Sequence, residues 1–296
     1  MKAFTSVRGL GHEDLETLIL KTVETRKSLD RGERHHATLH GLCVANLFFE
    51  PSTRTRLSFD LATQRLGGHV ITFVPESSSA TKGESLRDTV LTVGGIGADI
   101  LVVRHPLEGI PATIGEWTGL PVVNAGDGAN EHPTQALLDA ATLQQHFGGL
   151  QGLQMAIVGD VARSRVAGSL IHSLPTLGVD LTLVGPEEWL PRQSPVPTIT
   201  DLDDLVAEVD VVYLLRVQTE RGGVITNEYT STFGLNPERA TRMRDDAVIM
   251  HPGPINRGVE IADPVADSPR SLIVEQIRNG VPARMVILSA LASGRP

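Results

Sequence analysis

Short runs of Val, Ile and Leu alternate along this chain with stretches long enough to be helices. That alternation restricts the fold more than any other feature. Eight runs stand out, at 42–49, 70–73, 100–103, 121–123, 155–158, 181–184, 211–215 and 247–250. They lack the apolar–polar alternation of a half-exposed strand, so both faces are predicted to be covered. Buried strands joined by helical crossovers build parallel sheets. The predicted class is α/β, with two doubly wound α/β domains and mostly parallel sheets. A chain of 296 residues fits two domains at roughly 150 residues each.

Residues 132–146 carry good helix formers, and Ala136, Leu137, Ala140, Ala141 and Leu143 supply an apolar face. Gly148, Gly149 and Gly152 then interrupt the chain. The predicted division is 1–134, 135–280 and 281–296, with 135–147 as a junction helix. Four prolines between 186 and 197 predict a loop, and 219–233 reads as another. Residues 281–293 show helical spacing and predict a terminal packing helix.

Composition removes several classes. A single cysteine, Cys43, rules out a disulfide framework and a Cys-based zinc cluster. The histidines form no H-E-x-x-H set, and His35, His36 and His40 read as surface residues, so no metal is expected. No apolar run approaches the ~20 residues of a membrane span. The first residues are too mixed for a secretory leader, which makes a cytoplasmic home the expectation. A net charge of −9 disfavours broad nucleic-acid binding. An anionic ligand would therefore need locally concentrated Arg and Lys. Gly159 follows a strand, but the segment lacks the further glycines of G-x-G-x-x-G, so no nicotinamide site and no other cofactor is expected.

The strongest local signal is Glu50-Pro51-Ser52-Thr53-Arg54-Thr55-Arg56, after a strand and at the start of a helical stretch. A helix N-terminus offers unpaired N–H groups and positive dipole charge, which suit a phosphate. Ser52 or Thr53 suits the N-cap, and Arg54 adds a forked cation. The residues alone describe an ordinary capped helix equally well.

The Ser-Thr-Arg-Thr-Arg run resembles the carbamoyl-phosphate signature of the aspartate and ornithine carbamoyltransferases. The match continues in order through Thr81-Lys82-Gly83-Glu84-Ser85, Arg104-His105-Pro106 and His132-Pro133-Thr134-Gln135. It goes on through Val158-Gly159-Asp160 to Ser164-Arg165-Val166, then Arg216-Val217-Gln218, then His251-Pro252-Gly253-Pro254. It spans essentially the whole chain. No Ser-Met-Gly or Cys-Leu-Pro segment of the ornithine branch occurs, and Arg165 and Arg216 suit two carboxylates, so the resemblance favours the aspartate branch. Gly253 departs from the leucine of some members.

The resemblance implies transfer of a carbamoyl group from carbamoyl phosphate to L-aspartate, in de novo pyrimidine biosynthesis. It implies an active site in the interdomain cleft, a terminal helix returning to the first domain, and a homotrimer with shared sites. The implied catalytic residues are Arg54, Thr55, Lys82, Arg104 and His132. Carbamoyl phosphate would be held by Ser52, Thr53, Arg54, Thr55, Arg104, His132, Gln135, Pro252 and Gly253. Ser78 is the implied serine of a loop lent to the neighbouring subunit, with Ser77 and Ser79 as rivals. Aspartate would be held by Lys82, Arg165, Arg216 and Gln218. A regulatory chain or a dihydroorotase is the further partner class that the resemblance allows. Two rival readings are another amine acceptor such as ornithine, and a non-catalytic assembly scaffold.

Overall fold

The computed structural model describes residues 1–74 and 83–294. Ser77, Ser78, Ser79 and Lys82 lie outside the described residues. The chain forms two compact units, one of Met1–Ala141 with Arg278–Pro296 and one of Thr142–Ile277.

The first unit opens with helix α1 (His12–Asp30), followed by β1 (Cys43–Phe48), α2 (Thr53–Arg65) and β2 (His69–Phe73). Then come α3 (Leu86–Gly95), β3 (Ile100–His105), α4 (Ile110–Thr118), β4 (Val122–Asp127) and α5 (Pro133–Phe147). Its four strands are all parallel, in the order β2-β1-β3-β4. Leu47, Leu101, Val103 and Val122 meet Val90 and Ile114 of the covering helices in one buried cluster. The exception to coverage is β2, an edge strand whose residues are exposed or half-buried. Residues 1–41, to which the periodicity assigns no element, include all of α1.

The second unit contains β5 (Gln154–Val158), α6 (Arg165–Ser173), β6 (Asp180–Val184), β7 (Thr198–Ile199) and β8 (Val211–Leu214). It continues with α7 (Asn227–Phe233), α8 (Pro237–Arg242), β9 (Val248–Met250), α9 (Asp263–Ala266) and α10 (Ile273–Ser293). The sheet order is β7-β6-β5-β8-β9, again all parallel. Each of the eight predicted runs coincides with a strand; the two-residue β7 has too little apolar content to announce itself.

Three expectations need correction. The predicted loop at 219–233 ends in a helix, α7. Thr226 caps it by accepting from the Tyr229 backbone N–H at 2.9 Å. Tyr229 and Phe233, one turn apart, bury together, and Tyr229 lies 4.8 Å from the Trp189 ring. The terminal helix begins at Ile273, so Pro282 lies inside it rather than at its start. The compact units also divide at Ala141 and Ile277, later than 134 and earlier than 280, so α5 and α10 each give residues to both.

Candidate active site

In the first unit the predicted residues gather at the carboxyl ends of β1, β3 and β4, where open parallel sheets place ligands. Ser52, in extended backbone, is the N-cap of α2 and makes no side-chain cap hydrogen bond. Thr53 and Arg54 are exposed in the first turn, and Thr55 is buried. The helix is tied to the sheet by the Asn46 amide, which donates to Asp60 at 2.6 Å.

Arg104, the penultimate residue of β3, is in register with Phe48. Its guanidinium lies 3.5 Å from the Glu50 carboxylate, with both side chains about one-fifth exposed. Glu50 belongs to the opening motif but was given no role from sequence. Next to Arg104, burial lowers the His105 pKa from its ordinary value and favours the neutral ring.

His132 ends the turn before α5, and Pro133 takes the first helical position. The turn is held by Asp127, whose carboxylate accepts from the Asn124 amide at 2.7 Å, the Gly109 N–H at 2.7 Å and the Glu131 N–H at 3.2 Å. This buried bracing sets His132 Nε2 3.5 Å from the Thr55 hydroxyl. Gln135 lies one turn along α5 and donates its amide NH2 to Asp139 at 3.0 Å. Thus Thr55, His132 and Gln135 are buried polar groups at one edge.

In the second unit the cations also collect at the carboxyl edge. Val158 of β5 pairs with Leu214 of β8, so the segments leading to Arg165 and Arg216 leave neighbouring strands. Gly159 has φ +125°, and a Cβ there would lie 2.8 Å from the Leu215 carbonyl oxygen. The glycine therefore serves close backbone packing. Arg165 is buried in the first turn of α6, which Ser164 caps.

Gln218 is the hub of this group. Its Oε1 accepts from Arg221 at 3.1 Å and Arg216 at 3.4 Å. Its backbone N–H donates to the fully buried Asp160 at 3.0 Å, and Asp160 also receives Arg163 at 2.9 Å. Sequence reasoning missed Asp160, Arg163 and Arg221. Arg163 sits only two residues before Arg165, which was the available signal for it.

Pro252 and Gly253 follow β9, whose Met250 pairs with Tyr213 of β8. Gly253 has φ +65°, a conformation that suits glycine over the leucine of some members. Its N–H donates to His251 Nδ1 at 2.7 Å. That bond assigns the ring proton to Nε2, which faces Glu260 at 3.1 Å. Glu260 also accepts the Asn256 N–H at 2.6 Å, so the backbone around 252–256 is pinned from within its own unit.

Residues 2–145 match the family described as "Aspartate/ornithine carbamoyltransferase, carbamoyl-P binding domain", and residues 151–291 match its "Asp/Orn binding domain". The chain belongs to the aspartate/ornithine carbamoyltransferase family.

Among its relatives, the aspartate carbamoyltransferase catalytic subunit of Opitutus terrae is 45% identical over 294 residues, covering 97% of this chain and 94% of that one. The Salinispora arenicola catalytic subunit is 51% identical, covering 86% of each chain. A Trypanosoma cruzi aspartate transcarbamoylase solved with carbamoyl phosphate and aspartate is similar with a TM-score of 0.90 at 31% identity, covering 98% of this chain and 95% of that one. The M. jannaschii catalytic subunit gives 0.87 at 37% identity, covering 99% and 98%. Among the described residues of this family member, no group of His, Cys, Asp and Glu could hold a metal ion. No described helix is long and apolar enough to cross a membrane.

Proposed function

We infer that the chain transfers the carbamoyl group of carbamoyl phosphate to the amino group of L-aspartate, giving N-carbamoyl-L-aspartate and phosphate. The observation that carries the choice of acceptor is the cationic cluster at the second carboxyl edge. Arg216 and Arg221 converge on Gln218, and Arg221 also donates to the carbonyl of Arg163 at 3.2 Å, two residues before buried Arg165. Such a set suits a dicarboxylate and repels the distal ammonium of ornithine.

The reaction is acyl transfer to an amine. The amine nitrogen attacks the carbamoyl carbon, a tetrahedral oxyanion forms, and the carbon–oxygen bond to phosphate breaks. Thr55, Arg104 and His132 are the donors assigned to that oxyanion. The helix start at Ser52–Thr55 with Arg54 is assigned to the leaving phosphate, together with Lys82. The phosphate grows more basic as its bond breaks and takes the amine proton. Pro252 and Gly253 offer carbonyls that orient the attacking amine and the carbamoyl NH2. No side chain is acylated, so the rate rests on positioning and electrostatics. The product is a precursor in pyrimidine biosynthesis, and the composition supports a cytoplasmic setting.

The decisive assay offers aspartate and ornithine side by side, with carbamoyl phosphate as donor. Aspartate is expected to be the acceptor. Turnover with ornithine alone would move the chain to the other branch, and no turnover with either would favour the scaffold reading.

The proposed assembly is a homotrimer in which Lys82 serves a neighbour's site. Equal amounts of inactive Arg54→Ala and Lys82→Ala chains, dissociated and re-formed together, should regain activity. Heterologous pairing restores roughly one quarter of the sites. A dead mixture, when wild-type chains treated alike recover, would place Lys82 in its own chain's site or in none.

A further inference from the structure

We propose that Asp139 is a positioning residue that orients the Gln135 amide, so that the amide oxygen and not its NH2 is presented to the carbamoyl NH2. The proposal rests on the reading of Gln135 as the contact to the carbamoyl nitrogen.

A glutamine amide is ambiguous. It offers two donors on one side and an acceptor on the other, and a half-turn exchanges them. Only the oxygen can accept from a carbamoyl NH2. Which side faces the substrate therefore decides whether a carbamoyl group is recognised or opposed. Asp139 removes the ambiguity. It lies one turn beyond Gln135 on α5, is fully buried, and receives the Gln135 NH2 at 3.0 Å. A carboxylate only accepts, so the NH2 must point at it. Turning the amide over would set two acceptors against each other. Leaving such a buried group unsatisfied disfavours the flipped state by a factor of about 5 to 150.

A buried cation of α10, Arg284, lies close enough to Asp139 to feel its charge. Arg284 is buried, donates to the Gly280 carbonyl at 2.7 Å and lies 5.2 Å from the centroid of the Phe59 ring. Burial lowers its pKa to about 10, and the attraction of Asp139 opposes that shift. Phe59 belongs to α2, the helix that opens with Ser52–Thr55. One buried cation thus packs on a ring of the helix that opens with Ser52–Thr55 and feels the charge of the carboxylate that orients the amide contact.

The test uses two stable ligands that differ at one group. Phosphonoacetamide carries the NH2, and acetonylphosphonate carries a methyl in its place. Dissociation constants are measured by calorimetry for wild type, Gln135→Ala and Asp139→Asn. Asp139→Asn removes the group that can only accept, so the new NH2 can face Gln135 and the Gln135 amide can reverse. Phosphonoacetamide should weaken about fivefold or more, while acetonylphosphonate changes less than twofold. Gln135→Ala should show the same selective loss.

If Gln135→Ala is selective and Asp139→Asn is not, the orienting role is wrong while the contact stands. If Gln135→Ala changes neither ligand, the contact itself is wrong. Equal weakening of both ligands in Asp139→Asn would make Asp139 merely structural. Should Asp139→Asn not fold, neutron diffraction from wild-type crystals holding phosphonoacetamide in heavy water reads the orientation directly. Deuterons of the Gln135 amide should point at Asp139, and deuterons facing the ligand would overturn the proposal.

Discussion

Arg54→Ala should lower kcat by roughly 10²–10³-fold, the scale for losing one preorganised group aimed at transition-state charge. Arg54 is exposed in the first turn of α2, and alanine is the best helix former, so the helix should persist. Stability should stay within about 0.5 kcal/mol of wild type, as for other exposed substitutions. The loss is therefore catalytic. Charge on the leaving phosphate grows as its bond breaks, so the carbamoyl-phosphate KM should change less than kcat. Steady-state kinetics beside a thermal melt checks this. A folded variant with near-normal kcat would make Arg54 a surface residue on an ordinary helix.

Arg216→Ala should act on the other substrate. Truncating one member of a hydrogen-bonded charge pair costs about 2–5 kcal/mol, or about 30- to several-thousand-fold in kcat/KM for aspartate. Gln218 would lose its 3.4 Å partner but keep Arg221 and Asp160, so the loop should hold. Carbamoyl-phosphate binding, assigned mainly to residues of the first unit, should barely move. Arg216→Lys should rescue poorly, because a point charge cannot replace a bidentate fork. Aspartate saturation measured at fixed carbamoyl phosphate decides it, and an unchanged curve would remove Arg216 from the site.

The strands were legible because a parallel sheet covered on both faces leaves continuous Val, Ile and Leu runs. The helix α7 was not, because Thr226, Tyr229 and Phe233 sit among polar and glycine-rich neighbours, and Tyr229 gains its value only against Trp189, forty residues earlier. The start of α10 was hidden by Pro282, which looks like a helix beginning. At the site, residues inside contiguous motifs could be named from sequence. Those acting across long separations could not. Asp160 reaches Gln218 over 58 positions, and nothing near either residue announces the bond. Glu50 was visible but unassigned, because its meaning depends on Arg104 arriving from another strand.

The first unit is built from two stretches that flank the second, Met1–Ala141 and Arg278–Pro296. On the ribosome this imposes an order. The second unit is contiguous and can fold as a body once Ile277 has emerged. The first cannot be completed until its last stretch follows, although most of it was synthesised earlier. Arg284 emerges only with the later stretch, so Asp139 and Phe59 lack their buried cation until then. The half that would receive the labile acyl phosphate is thus the last to mature, and a nascent chain stalled before Arg278 presents the acceptor half without a finished donor half.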